Sequence, residues 1–485
     1  MRFLVILRHL TPVVLSFLRD HRRWLVRGQP MVRREAFHQR RAERLVTTLA
    51  RLGPSFVKIG QLFAGRADLL REPYAAQLSR LTDQVPAVPF PVVRQIIEAE
   101  LRRPLEGVFE QLDPEPIAAG SLGQVYQARY RGQRVAVKVL RPGVEDLVRR
   151  DLAVARRLVQ WLVRWWPNAH TRGGQAVLEE FSARVWDEMD FTREAANLRL
   201  VRGNFTGNRR VRIPAVYDEL SGRTVLVLEF MEGIRIDALD PSKLHAGLRV
   251  STIVERLIEL YLQMMLVHGV FHADPHPGNL LLAPDGALVV LDFGVIIPVP
   301  RERRRHLVDT AFAALRRDPV GVTDGMYALG IVEAGADRAQ IERLAKLLVD
   351  LGSRKTTTQE RIELLTHEIM DELYDWPISL PSDLVYYGRT ASLIEGIGVR
   401  YDPQFNPIQA SAPVLFRMRG SLLAALSDAK VLDQLDLPTL IGFALGKATA
   451  VIADVGARLL RFAWGEPSEP PVAAPKQLPR RAGAA

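Results

Sequence analysis

Cysteine is absent from the 485 residues. That excludes disulfides, zinc–thiolate sites, iron–sulfur clusters and thiol nucleophiles, so any metal must be held by oxygen or imidazole ligands. Lysine is nearly as scarce, since only eight of the 65 basic residues are lysine and the rest are arginine. Where a lysine does stand, its compact ammonium has a claim to a specific task that arginine's planar fork cannot fill. The N-terminal apolar run from Phe3 to Leu18 is broken by Arg8, His9 and Pro12 and falls short of the roughly 20 apolar residues that a bilayer span requires. No small-residue cleavage site follows it, so a signal peptide is not expected. No internal repeat is evident.

What is present is an ordinary globular balance, 48% hydrophobic and 25% charged, with 65 basic against 55 acidic residues and a net charge of +10. A surplus of this sign favours anionic partners such as phosphate esters, acidic lipid headgroups or nucleic acid. No basic-aromatic pattern accompanies it, so nucleic acid is not expected as a partner. Arg19, Arg22, Arg23, Arg27, Arg33, Arg34, Arg40, Arg41 and Arg44 follow the first apolar run with few acids between them. That pattern predicts a basic amphipathic segment over 1–45, lying on an anionic membrane surface or simply solvated. The apolar stretch Thr439–Trp464 is interrupted by Lys447, Asp454, Arg458 and Arg461 and reads as an amphipathic helix, with a single span as the alternative. The Pro- and Ala-rich end, 466–485, reads as a disordered tail.

Between these ends the periodicity changes. From about residue 109 short β-rich runs appear, QVYQARY and RVAVKVL separated by Arg131-Gly132, which predict an antiparallel hairpin. Residues 146–203 carry helical periodicity, TVLVLEF at 224–230 reads as a buried strand, and helical patterns dominate from 250 onward. A strand lobe thus precedes a helical one.

The chemistry-bearing residues fall into that frame. Asn279 stands five residues after Asp274, and Asp292 thirteen after Asn279, within Asp292-Phe293-Gly294 and after an apolar strand. This resembles the catalytic loop and D-F-G segment of protein kinases. Magnesium is a hard cation that takes oxygen ligands, which the Asp292 carboxylate and Asn279 amide carbonyl supply, while Asp274 would orient or deprotonate the acceptor. A polar turn, or a different His/Asp metal cluster with His272 and His276, is the alternative reading of the same residues. Lys138 ends Val135-Ala136-Val137-Lys138, similar to the kinase strand whose lysine meets the α- and β-phosphates of ATP. Thirteen residues before it, Val125 closes the segment Ala118, Ala119, Gly120, Ser121, Leu122, Gly123, Gln124, Val125. This resembles a glycine-rich phosphate loop with Ala118 in place of its first glycine. Glu229, at the end of the TVLVLEF strand, is counted with these nucleotide contacts. A lysine so placed needs a carboxylate partner, and of the acids in Glu188-Met189-Asp190-Phe191-Thr192-Arg193-Glu194 the reading favours Glu194.

Taken together, the sequence resembles the AarF/UbiB/ADCK family of atypical protein-kinase-like proteins over roughly residues 45–420. The residues that carry this beyond the kinase motifs are Lys58-Ile59-Gly60-Gln61, similar to the family's KxGQ signature, Glu188-Met189-Asp190, similar to its ExD signature, and the alanine-rich loop. The resemblance implies that the KxGQ helix folds over the place where a protein kinase binds peptide. Lys58 and Gln61 would then lie near the nucleotide, and Lys58 would meet Glu188 or Asp190. Gly120 departs from the family's usual alanine, the arginine of H-R-D is missing, and no A-P-E follows Gly294.

The expectation is an α+β, bilobal protein-kinase-like fold: a helical extension over 1–108, a small antiparallel β N-lobe over 109–233 and a helical C-lobe over 234–465. It would bind ATP and Mg2+ and act as an ATPase or small-molecule kinase, peripheral on the cytoplasmic face of a membrane. The resemblance implies a part in isoprenoid-quinone biosynthesis or lipid handling, with anionic or isoprenoid lipids and quinone-biosynthesis enzymes as partners. A protein Ser/Thr kinase and a silent nucleotide-binding scaffold are the alternatives.

Overall fold

The computed structural model describes residues 2–27, 35–64, 73–81, 87–165, 169–244, 248–273, 276–332, 335–353, 381–402 and 405–426. The chain divides into Met1–Val431 and Leu432–Ala485. The second unit lies outside the described residues, and with it the expectations for 439–464 and 466–485.

The N-lobe is built on one tight hairpin. Strands β3 (Gly123–Tyr130) and β4 (Gln133–Leu140) pair antiparallel over their full length, Gly123 against Leu140 and Tyr130 against Gln133. Arg131 and Gly132 both take positive φ, 49° and 73°, as a two-residue turn matched to strand twist requires. Short strands β1 (Gln111–Leu112) and β2 (Ala118–Ala119) pair with β3, while a further strand, β6 (Val225–Glu229), pairs with β4. Apolar residues alternate toward one face, where Tyr126, Ala128, Val135, Val137, Val225 and Val227 form a buried cluster. Helix α5 (Phe90–Leu101) covers that face with Val93 and Ile97, so the last part of the extension completes the core of the sheet.

The remaining extension packs elsewhere. Helices α1 (Arg2–Arg27), α2 (Glu35–Leu52), α3 (Pro54–Ala64) and α4 (Tyr74–Leu78) gather around Ile6, Leu49, Leu52, Phe56, Val57 and Leu78. Val154 joins this core from helix α6 (Val144–Trp165). Arg2 is fixed there by a two-pronged pair with Asp151 at 2.7 and 2.9 Å, and Asp151 is 0% exposed. Helix α1 therefore spends one face on intramolecular packing, while Phe3, Leu4, Val5, Leu7 and Leu15 stay exposed on it. Pro12 does not interrupt it, and among the described residues no helix is long and apolar enough to cross a membrane. Gly60 lets α3 lie close, because a Cβ there would come within 2.5 Å of Leu81 and 2.9 Å of Leu49.

The span of helical periodicity after the hairpin resolves into α6, α7 (Ala169–Glu188) and α8 (Phe191–Asn204). The C-lobe begins with α9 (Val250–Leu262) and a π-helical turn, Gln263–His268. Strand β8 (Val270–His272) follows and pairs antiparallel with β11 (Ile296–Pro298). Strands β9 (Leu280–Leu282) and β10 (Leu288–Val290) form a hairpin, flanked by β5 (Val211–Arg212) and β7 (Ile234–Arg235). Helices α10 (Arg301–Leu315), α11 (Pro319–Ala328), α12 (Arg338–Ser353), α13 (Ser382–Tyr401) and α14 (Pro407–Leu426) complete the unit. The fold is α+β, with an antiparallel N-lobe sheet and a mainly helical C-lobe, as the alternation of periods predicts.

Candidate nucleotide site

The site forms where β4, α8 and the ends of the β9–β10 hairpin converge. Lys138 leaves β4 opposite Leu226 of β6 and reaches both oxygens of Glu194, at 2.8 and 2.7 Å, and Oδ2 of Asp292 at 3.2 Å. Its ammonium also stands 5.2 Å from the centre of the Phe191 ring. Burial works against the ammonium, but Asp292 and Glu194 outweigh it and raise the Lys138 pKa, so the residue stays charged. Burial, with Asp292 and Glu188 nearby, pushes Glu194 up to about 7 although Lys138 pulls the other way. For Asp292, burial is outweighed by Lys138, by the N–H of Gly294 and by His272, which hold it well below the usual carboxylate range. One ammonium between two carboxylates leaves a surplus negative charge, which a cation would satisfy.

Helix α8 is the organiser. Asp190 caps it, accepting from the Thr192 N–H at 3.0 Å and from the Thr192 hydroxyl at 2.6 Å, the standard way to satisfy an orphan first-turn donor. Glu194 and Asn197, three apart on one face, then address the two motifs at once. Glu194 holds Lys138, and Asn197 Nδ2 donates to the carbonyl of Phe293 at 2.8 Å. The Asp292–Gly294 backbone is further fixed by Gly294 N–H donating to Asp292 Oδ1 at 2.7 Å and by His272 Nε2 donating to the Asp292 carbonyl. Phe293 is fully buried edge-on to His272, with ring centres 5.1 Å apart. Asn197→Ala is expected to lower stability by about 1 kcal/mol, the loss of one part-buried hydrogen bond to a backbone carbonyl. Urea denaturation checks this, and an unchanged midpoint would remove Asn197 from the clamp.

Asn279 ends a 3-10 turn, Pro277–Asn279, whose N-terminal His276 ring accepts from the Gly278 N–H at 3.0 Å. Its carbonyl accepts from Leu291 N–H at 2.9 Å, which continues the β9–β10 ladder by one step and sets Asn279 beside the residue preceding Asp292. Two oxygen-bearing side chains suited to a hard divalent cation thus stand at neighbouring hairpin positions. Among the described residues no three His, Asp or Glu cluster as a metal site, so such an ion would take its remaining oxygens from outside that set. Asp274 lies outside the described residues.

The alanine-rich loop is short and anchored. Ala118 and Ala119 pair with Val125 and Gln124, Gly120 N–H donates to Gly123 O at 2.8 Å, and Arg141 Nε donates to Gly120 O at 2.8 Å. Ser121 is buried at the tip. At Gly123 a Cβ would lie 3.0 Å from the Val139 carbonyl and 3.5 Å from the Phe191 ring. Glycine there lets the loop lie close over Lys138's strand.

Of the ExD acids it is Glu188 that meets Lys58, at 3.1 Å, because Asp190 is taken up by its capping bonds. Gln61 donates to the carbonyl of Leu81 at 3.0 Å, a contact within the extension, although Lys58 and Gln61 both line a cavity with Ala273 and Val295, which flank the loop and the D-F-G segment. Glu229 accepts from Ala215 N–H at 3.1 Å and from Arg202 at 3.3 Å, tying the end of β6 to the segment before it. Asn197 was not singled out by motif reading. Its position three residues after Glu194 on the same helical face was the available signal.

A family model described as the ABC1 atypical kinase-like domain matches residues 80–325. An uncharacterized protein of Synechocystis sp., sll1770, is 33% identical over 399 residues, covering 82% of this chain and 68% of its own. The Arabidopsis thaliana protein ACTIVITY OF BC1 COMPLEX KINASE 8, chloroplastic, is 32% identical over 405 residues, 77% of this chain and 53% of its own. The chain therefore spans about half the length of that plant relative. Among solved structures, the Rv3197–erythromycin complex from Mycobacterium tuberculosis aligns with a TM-score of 0.56 at 24% identity, over 78% of this chain and 97% of that one, a likeness of fold.

Proposed function

The chain belongs to the family of ABC1 atypical kinase-like proteins, and from that premise we propose that it binds ATP with magnesium and works as an ATPase or small-molecule kinase at an anionic membrane surface. The observation that carries this reading is the cluster of Lys138, Glu194 and Asp292, clamped from one helix by Glu194 and Asn197. Lys138 would meet phosphate oxygens, with Glu194, at 2.7 and 2.8 Å, keeping it extended. Asp292 and Asn279 would hold magnesium, which when bound neutralises phosphate charge and orients the transferred group. Asp274 would orient or deprotonate the acceptor.

Helix α3 supports a small acceptor over a peptide. Its Lys58, paired to Glu188, shares a cavity with Ala273 and Val295, so the helix stands beside the catalytic loop. The membrane part of the reading rests on the exposed apolar residues of α1 and the arginine-rich sequence after it. Support of isoprenoid-quinone biosynthesis or lipid handling is the biological role proposed.

The test is thermal unfolding with ATP and magnesium, with ATP and EDTA, and with neither, followed by phosphate release with neutral and anionic vesicles. A ligand held at 100 times its Kd adds about 2.7 kcal/mol to stability, a readily visible rise in midpoint. Magnesium-dependent stabilisation and faster phosphate release on anionic vesicles are expected. Absence of any nucleotide effect would overturn the nucleotide reading, and equal release on both vesicle types would overturn the membrane reading.

A further inference from the structure

The apolar stripe of helix α6 outruns the core it serves. Val154, Leu158, Trp161 and Trp165 recur at intervals of four, three and four residues, which sets them along one side of the helix. Val154 is buried in the core of the extension and Leu158 packs against it. The next two members of the stripe, Trp161 and Trp165, are 50% and 63% exposed. Two open indoles on consecutive turns of one helix mark a surface with a use outside the chain itself.

The charge around them has one sign. Arg156, Arg157 and Arg164 are exposed on the same half of the helix, and no acid stands between Asp151 and Glu179 in the sequence. Asp151, the last acid of α6, is fully buried and held by Arg2. The first half of the helix differs, since Arg149 has Asp146 at 2.8 Å and Arg150 donates to the Asp146 carbonyl at 3.0 Å. At 3.6 residues per turn, Arg157, Trp161, Arg164 and Trp165 fall within an arc of about 100°. Cations and indoles therefore share one outward face.

An acidic macromolecule and an anionic lipid surface both suit such a face, and the adjoining helix favours the lipid. Helix α1 is pinned to α6 through Arg2 and shares its core through Ile6, yet it leaves Leu4, Leu7 and Leu15 exposed. Aliphatic side chains offer nothing to a phosphate backbone or an acidic peptide. In a bilayer they enter the acyl boundary, indoles settle at headgroup level and arginines meet lipid phosphates.

We propose that the C-terminal half of α6 docks the chain on an anionic phospholipid bilayer, with Trp161 and Trp165 as interfacial anchors and Arg156, Arg157 and Arg164 as phosphate contacts. This rests on the membrane reading above and gives it a second contact surface, on a helix that follows the β3–β4 hairpin rather than on α1.

The experiment sediments the full chain with vesicles of phosphatidylcholine alone and of phosphatidylcholine with an equal part of phosphatidylglycerol. Wild type is compared with a Trp161→Ser, Trp165→Ser double variant, an Arg156→Gln, Arg157→Gln, Arg164→Gln triple variant and a Leu4→Ser, Leu7→Ser double variant. Wild type is expected to bind the anionic vesicles, with a partition coefficient at least tenfold lower in the tryptophan variant and about fivefold lower for each arginine removed. Acyl-brominated phosphatidylcholine in the anionic vesicles should quench a smaller fraction of the bound protein's emission once those two of the seven tryptophans are gone. Urea midpoints equal to wild type report that the variants are folded, and the arginine variant serves in place of the tryptophan variant should the latter unfold. Wild-type binding by the folded tryptophan variant overturns the α6 dock. If the leucine variant alone then loses binding, the membrane reading stands on α1 without it. Wild type that sediments with neither vesicle overturns the membrane reading itself and the dock with it.

Discussion

Asp292→Asn is expected to abolish the magnesium-dependent part of ATP stabilisation and to lower phosphate release by about 100-fold or more. The substitution is nearly isosteric, and its amide oxygen can still accept from Gly294 N–H, which now donates to Asp292 Oδ1 at 2.7 Å. The turn should therefore survive. What disappears is the full negative charge that faces Lys138 at 3.2 Å and that a divalent cation would require. Loss of a metal's charge stabilisation is worth several kcal/mol in the transition state, and each 1.36 kcal/mol is tenfold in rate. Thermal unfolding with and without EDTA, beside a phosphate-release assay, checks both halves. A variant that keeps the magnesium-dependent shift would show that Asp292 is no part of the ion's site.

Lys138→Ala should have the largest effect on stability. Removing the ammonium leaves Glu194, 3% exposed, facing Asp292 without the cation between them. Breaking a buried pair from one side costs about 3–5 kcal/mol. The lower end applies here, because Lys138 and Asp292 keep 22% and 33% of their side-chain exposure. Glu194→Ala removes the acid that would be stranded, so the double variant should lose less than the sum of the singles, with a coupling of about 1–3 kcal/mol. Urea midpoints of the four proteins in that cycle measure it. Strict additivity would mean that the two groups, 2.7 Å apart, do not depend on each other.

The parts of this site that were legible in the sequence are those where the chemistry sits in a short, spaced string. The interval from Asn279 to Asp292 is one hairpin plus a residue, and the alternation of Val135, Val137 and Val139 marks the strand that delivers Lys138. The favoured pairing of Lys138 with Glu194 is the contact the structure displays. Between Glu188 and Asp190 the string offered no choice, because both are acids beside a helix start. Only the geometry shows Asp190 bound to Thr192 and Glu188 left to Lys58. Asn197 and Phe293 are 96 residues apart, and Arg184, which lies over the ring of Tyr386, belongs to a helix with most of the C-lobe between the two. Such pairings leave no local pattern. The extension shows a third limit. Hydrophobic periodicity says that α1 has an apolar face but not what covers it, and Ile6 turns out to be fully buried in an intramolecular core while its neighbours are exposed.

The contact between Arg2 and Asp151 carries a consequence in time. Its partners are separated by 149 residues, and chains grow at about 5–20 residues per second. On that scale α1 waits roughly 7–30 seconds for the α6 residue that fixes its Arg2. During that interval α1 can pack against α2, α3 and α4 but not against α6. Whatever meets it then, a chaperone or a bilayer, competes with α6 for the same residues, so translation speed through residues 50–160 should govern how much protein matures with its first helix docked.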